Sequence, residues 1–218
     1  MKRTERHHLK EDEMAHGVHW LVGFYQRYQR EIAIVAGALV VVAVVFSGLL
    51  FIRAQSRNAR SRAIGEVMDL AAELDQKPEK LAELEKLADV GRTARMANLE
   101  LAKYWAERSD WDKAETYLGR LPSGPQDLLY YQGEDLKAQV AVGRKDYDKA
   151  IAIYMKIGEE KPKAYPLDAA QFRLAECYEL KGEIATALEL FKKLQTDFPQ
   201  SYFGYEASLK VSKLETRK

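Results

Sequence analysis

Hydrophobic positions along the chain follow two different patterns. From Ile32 to Ile52 the sequence reads IAIVAGALVVVAVVFSGLLFI, 21 residues without a charge, fourteen of them Leu, Ile, Val or Phe. At ~1.5 Å rise per residue a helix of this length measures ~31 Å, matching a ~30 Å hydrocarbon core. A lone segment satisfies its backbone in lipid only as a helix, and a core helix of a water-soluble domain would carry a polar face that this run lacks. The 31-residue charged lead is long for a signal peptide's n-region, and Arg53 stands where a small-residue cleavage site belongs. The pattern predicts an uncleaved anchor and a single-pass membrane protein. Ala36, Val40, Ala43 and Ser47 form one stripe of mostly small residues on the span, a candidate surface for packing against another helix.

Beyond the span the pattern changes. Apolar residues recur at intervals of three and four, alanine is abundant and little favours strand, so the expected class is all-α. A longer period overlies this one. Asp110-Trp111-Asp112-Lys113-Ala114 recurs 36 residues later as Asp146-Tyr147-Asp148-Lys149-Ala150, and Gly182-Glu183-Ile184-Ala185-Thr186-Ala187 falls 36–37 residues further on. Ala102, Ala138 and Ala175 each precede the second alanine of their copy, Ala114, Ala150 and Ala187, by twelve. Tyr154 and Phe191 follow theirs by four, Pro162 and Pro199 by twelve.

This spacing resembles the tetratricopeptide repeat. The third copy, about residues 168–201, carries it best with Leu174, Ala175, Tyr178, Ala187, Phe191 and Pro199. The second, about 131–166, departs with Lys137 and Ala141 at first-helix positions; the first, about 95–126, departs at Leu121 to Pro125. The residue types have a physical reason. Paired helices that cross closely need small side chains at the crossing, here Ala102 with Ala114, Ala138 with Ala150 and Ala175 with Ala187. Aromatic Trp105, Tyr154, Tyr178 and Phe191 fill the space between neighbouring pairs, proline closes the second helix, and Gly143 and Gly182 mark turns between helices.

The expected organisation is an N-terminal tail (1–31) with an amphipathic interfacial segment, a transmembrane helix (32–52) and a juxtamembrane helix with a degenerate helix pair (53–94). About three repeats with a capping helix from Tyr202 to Leu214 follow (95–218). Pro78 suits the first turn of the second helix of the leading pair.

Charge and cysteine content narrow the chemistry. The 218 residues carry 34 Lys and Arg against 33 Asp and Glu, a net +1, with no basic excess for nucleic acid. The part beyond the span holds 28 of each sign. One cysteine excludes an internal disulfide framework. His7, His8, His16 and His19 all precede the span; His16 and His19 are spaced to face one ion, but no carboxylate or cysteine completes a recognisable ligand set. Cys177, across the membrane from every histidine, reads as a packing residue. No glycine-rich phosphate loop is present, and carboxylates sit in mixed-charge runs such as Glu83-Leu84-Glu85-Lys86. The expectation is a non-enzyme with no cofactor and no metal.

A repeat solenoid offers a groove lined by its first helices. The register puts Met96, Leu99, Lys103, Gln132, Asp135, Gln139, Phe172, Glu176 and Glu179 on that face as candidate partner-binding residues. Some tetratricopeptide domains clamp a C-terminal carboxylate with Lys and Asn; the matching positions here are Leu99, Asp135 and Phe172, so that clamp is not expected. The groove is mixed in character and suits polar or unfolded segments.

The order of charged tail, span, juxtamembrane helix and degenerate repeats resembles bacterial single-pass proteins of the ancillary SecYEG translocon subunit family. That resemblance implies an inner-membrane protein with a cytoplasmic N-terminus and periplasmic repeats, passing secreted chains from the translocon to periplasmic chaperones. The arginines and lysines alone do not settle orientation: within 15 residues of the span they number two before and four after, over the whole tail six. Residues 187–214 also resemble repeats of envelope proteins that coordinate cell-wall or outer-membrane assembly. Three roles follow: a scaffold for a partner protein, a holdase-like chaperone, or a membrane-anchored subunit whose active site lies on a partner.

Overall fold

The computed structural model describes residues 3–91 and 93–216, with side chains from residue 27 onward except at 32, 36, 54, 56–60 and 92. Nine α-helices run through them without a strand: α1 (Arg3–Glu73), α2 (Leu81–Ala88), α3 (Ala94–Glu107), α4 (Trp111–Gly119), α5 (Leu128–Gly143), α6 (Tyr147–Glu160), α7 (Leu167–Lys181), α8 (Ile184–Asp197) and α9 (Tyr202–Glu215). A 3₁₀ turn, Pro78–Lys80, leads into α2. The all-α class expected from the hydrophobic spacing is the class observed. The chain separates into two compact units, Met1–Ala59 and Arg60–Lys218.

In the first unit α1 is helical except at Tyr28 (φ −114°, ψ 19°), where two helical stretches meet. From Arg27 to Arg53 it is long and apolar enough to cross a membrane, with a mean hydropathy of 2.8 and no buried residue in its most apolar window. Val40, Ala43 and Ser47 are exposed, and the Ser47 hydroxyl donates to the Val44 carbonyl at 2.9 Å. Ala36 and the four histidines lie outside the described side chains.

In the second unit consecutive helices pack as antiparallel pairs, α3 with α4, α5 with α6 and α7 with α8, and α9 lies on α7 and α8. Each alanine named at a crossing point (Ala102, Ala114, Ala138, Ala150, Ala175 and Ala187) is fully buried. Apolar clusters follow one another along the stack. The first joins Val67 and Leu70 of α1, and Leu74 just after it, to Leu84 of α2 and Leu101 of α3. The next joins Leu99 and Leu118 to Leu136 and Val140, the third Ile151, Tyr154 and Ile157 to Ala170 and Cys177, and the last Phe172, Phe191 and Leu194 to Ala207 and Leu214. Each cluster straddles a repeat boundary, which is how repeats that cannot bury an apolar face alone gain a continuous core.

The turn inside each helix pair repeats in backbone as well as sequence. Ser109 (φ 58°), Lys145 (φ 63°) and Gly182 (φ 91°) adopt the left-handed conformation at equivalent places. Asp110 and Asp146 then cap the following helix, accepting from the Lys113 and Lys149 amides at 3.2 Å, while Glu183 makes no side-chain cap bond. This corrects the expectation for Gly143: it is helical, and Lys145 takes the left-handed position. Gly143 is glycine for another reason, since a Cβ there would lie 2.5 Å from ring atoms of Trp111.

A cation at the end of each first helix reaches back to an acid of the preceding pair: Arg108 to Asp75 at 2.7 Å, Arg144 to Asp112, and Lys181 to Asp148 at 2.8 Å. These exposed pairs add little energy individually; their recurrence reflects the same register repeated between successive pairs. Where Leu121 to Pro125 replaces a standard connection, Arg95 holds both carboxylate oxygens of Asp127 at 2.6 and 2.8 Å, and Asp127 caps α5 by accepting from the Tyr130 amide.

Candidate functional site

The first helices α3, α5 and α7 line a series of adjoining cavities in the second unit. One lies between the end of α1 and α3, with Met68, Tyr104, Lys103 and Glu107 on its walls. The next, about 460 Å³, is shared by α3 and α5 and lined by Lys103, Glu107, Trp111, Gln132, Asp135, Gln139 and Tyr165. The third, about 400 Å³, adds α7 and α9 through Gln139, Tyr154, Arg173, Glu176, Cys177, Glu179 and Lys210. Lys103 and Glu107 belong to the first two and Gln139 to the last two, so the cavities lie side by side as a grooved face along α3, α5 and α7.

Five of the nine residues assigned to this face, Lys103, Gln132, Asp135, Gln139 and Glu176, line it, and so does Glu179. Three do not. Leu99 is fully buried among Ala102, Leu118 and Leu136. Phe172 is buried with its ring centroid 5.4 Å from those of Phe191 and Phe203. Met96 packs against the Leu84–Leu101 cluster. A first helix in a solenoid is covered on two sides, by its own partner helix and by the preceding pair, which leaves a narrower open stripe than the register implies.

At the groove floor lies a polar network that the repeat pattern did not announce. Asp135 is only 9% exposed. It accepts from the Tyr154 hydroxyl at 2.8 Å and from the Gln139 amide at 3.0 Å, and Arg173 Nε lies 3.4 Å from it. Burial, then the Asp135 charge, raises the Tyr154 and Tyr165 phenols well above the ordinary value. Burial opposes the Arg173 charge, but Asp135 together with the Tyr154 and Tyr165 phenols outweighs it, so the guanidinium is held more firmly protonated. These residues come from α5, α6, α7 and the loop before α7. The only sequence signal was an acid inside a first helix at a position where neighbouring copies carry apolar residues.

The acids at the far end of the groove are not free. Lys210 of α9 lies 2.8 Å from Glu179 and 3.3 Å from Glu176. Lys103 is likewise paired with Glu100 at 2.7 Å. Fixed charges here are mostly neutralised within the chain, leaving the amides of Gln132 and Gln139 and the Tyr104, Trp111 and Tyr165 rings as the neutral recognition surface. Cys177 is buried, and burial pushes its thiol up to about 11, so it stays protonated at neutral pH. Among the described residues no group of His, Cys, Asp and Glu has a metal-holding arrangement.

The tetratricopeptide repeat family matches residues 169–201, the helix pair α7–α8 with its terminal proline. No curated protein and no solved structure matches the chain. The fold is therefore a tetratricopeptide-like helical solenoid with an N-terminal helix apolar enough to span a membrane. Repeats of this kind mediate protein–protein interaction.

Proposed function

We propose that the chain is a membrane-anchored scaffold: the apolar helix crosses the bilayer and the groove along α3, α5 and α7 takes a segment of a partner protein. The observation that carries this reading is the row of three adjoining cavities, whose walls include amides and aromatic rings that adapt to a polypeptide rather than to one small molecule. The chain is not itself an enzyme; the buried, protonated Cys177 supports this, since it offers no accessible nucleophile.

The architecture supports a bacterial inner membrane as the location, with the N-terminus cytoplasmic and the repeats periplasmic. There the scaffold would hand translocated chains to periplasmic chaperones. A fusion of alkaline phosphatase after Lys218 tests the placement; absence of phosphatase activity in cells contradicts it. The second reading is a holdase-like chaperone or an envelope assembly factor without a link to the translocon, favoured by the polar, largely charge-neutralised groove. Photo-crosslinking from Lys103, Gln132 and Gln139, read by mass spectrometry, separates the two. A few stoichiometric partners support the scaffold; a broad population of unfolded chains contradicts it and supports the holdase.

A further inference from the structure

The helices α3, α5 and α7 are each flanked by neighbours on two sides, but α9 packs only on α7 and α8 among the described residues. Its outer face carries Tyr202, Tyr205 and Leu209, exposed by 69%, 61% and 49%. Ser212 and Thr216 continue the same stripe and are also exposed. The spacing of three and four residues is that of a helix-packing seam, and an exposed line of large apolar side chains on an otherwise charged surface marks an interaction site.

We propose that this stripe packs against the α9 of a second copy of the chain, antiparallel about a two-fold axis near Leu209. The stripe is self-complementary only in that orientation. One half is bulky, Tyr202 and Tyr205; the other is small, Ser212 and Thr216. An antiparallel two-fold places the bulky half of each helix over the small half of its mate, with Leu209 near the axis. The flanking charges agree. Glu206 and Lys213 lie one heptad apart beside the seam and neither makes an ion pair among the described residues; the two-fold brings Glu206 of each copy beside Lys213 of the other. A parallel pairing would set Tyr against Tyr and hold Glu206 and Lys213 of the two copies on opposite sides of the seam, with no charge pair formed. A two-fold dimer uses the same patch on both copies, as an isologous interface requires. One four-turn stripe is a small interface, so the dimer is expected to be weak in dilute detergent and favoured where copies are concentrated in a membrane.

The test uses the full chain in native membranes, in a Cys177→Ala background, with copper-phenanthroline as oxidant. Leu209→Cys is expected to give a disulfide-linked dimer. Tyr205→Cys mixed with Ser212→Cys is expected to give more heterodimer than either gives homodimer. Adding Glu206→Lys or Lys213→Glu to Leu209→Cys is expected to lower crosslinking roughly tenfold through two like-charge contacts. Co-expressing the two charge variants, or combining them in one chain, restores it, because opposite charges meet again. Absence of crosslinking at Leu209→Cys in a normally folded chain overturns the proposal. So does a dimer that forms elsewhere, or charge variants that fail to rescue each other.

Discussion

The indole of Trp111, at the start of α4, occupies the space where a side chain on Gly143, at the end of α5, would have to go. That contact joins two successive repeats. Alanine in a helix is ordinarily more stable than glycine by about 0.5–1 kcal/mol, so Gly143→Ala should stabilise if the glycine were only a turn residue. The packing inverts the sign: the variant is expected to lose about 1–3 kcal/mol by overpacking. Chemical denaturation followed by helical circular dichroism reads the change. Repeating the substitution in a Trp111→Leu background should return the stabilising sign.

The left-handed residues between helices give predictions of opposite sign within one motif. Ser109 and Lys145 hold φ of 58° and 63°, a conformation that costs a residue with a Cβ about 1–2 kcal/mol. Ser109→Gly and Lys145→Gly are each expected to gain up to about 1 kcal/mol, while Gly182→Ala, at φ 91°, loses about 1–2 kcal/mol. Thermal melts of the three variants against the parent check this, at roughly 2–4 °C per kcal/mol for a unit of this size.

The Asp135 network predicts coupling between repeats. Tyr154→Phe removes one hydrogen bond to a buried carboxylate and is expected to cost about 1–3 kcal/mol. Arg173→Ala removes the cation beside the same carboxylate. Because both act on Asp135, their effects should not add; a double-mutant cycle showing coupling of at least about 0.5 kcal/mol supports the network, and strict additivity contradicts it.

The alkaline limb of stability follows from the same burial. Tyr154 and Tyr165 are raised by burial and by Asp135, Tyr117 is pushed up to about 12 by burial and Glu85, and Cys177 to about 11 by burial. Unfolded, these phenols and the thiol titrate near 10 and 9. Groups whose folded value is raised contribute stability that is complete below the unfolded value and is lost as pH rises through the folded one. Unfolding is therefore expected to grow progressively easier above about pH 9–10. Phenolate absorbance near 295 nm should include a fraction that appears only together with loss of helix. Ionisation of every tyrosine near pH 10 with the helices intact would contradict this.

The helix pairs were legible in the sequence because close crossings demand small residues at fixed intervals, and Ala102, Ala114, Ala138, Ala150, Ala175 and Ala187 are all buried where that rule places them. The groove was legible in part. Lys103, Gln132 and Gln139 line it, but Leu99 and Phe172 sit one helical face away, where a neighbouring pair covers them. A repeat period fixes which residues are equivalent. It does not fix how far successive pairs rotate, and that rotation decides what is covered. Contacts between repeats were not legible for the same reason. Gly143 reads as a turn residue until Trp111, 32 positions earlier, is placed against it, and Asp135 reads as an open groove-facing acid until Tyr154 and Arg173 are placed beside it.

The central claim is that the groove, and not the outer surface, receives a partner. It is tested most directly by placing one photo-crosslinking amino acid at Gln139, which joins two of the cavities, or at Thr116, exposed on the second helix α4. Both variants are irradiated in intact cells. The account predicts discrete crosslinked products from Gln139 that are absent from Thr116. Equal products from the two positions, or none from Gln139 in a folded and membrane-inserted chain, would contradict it.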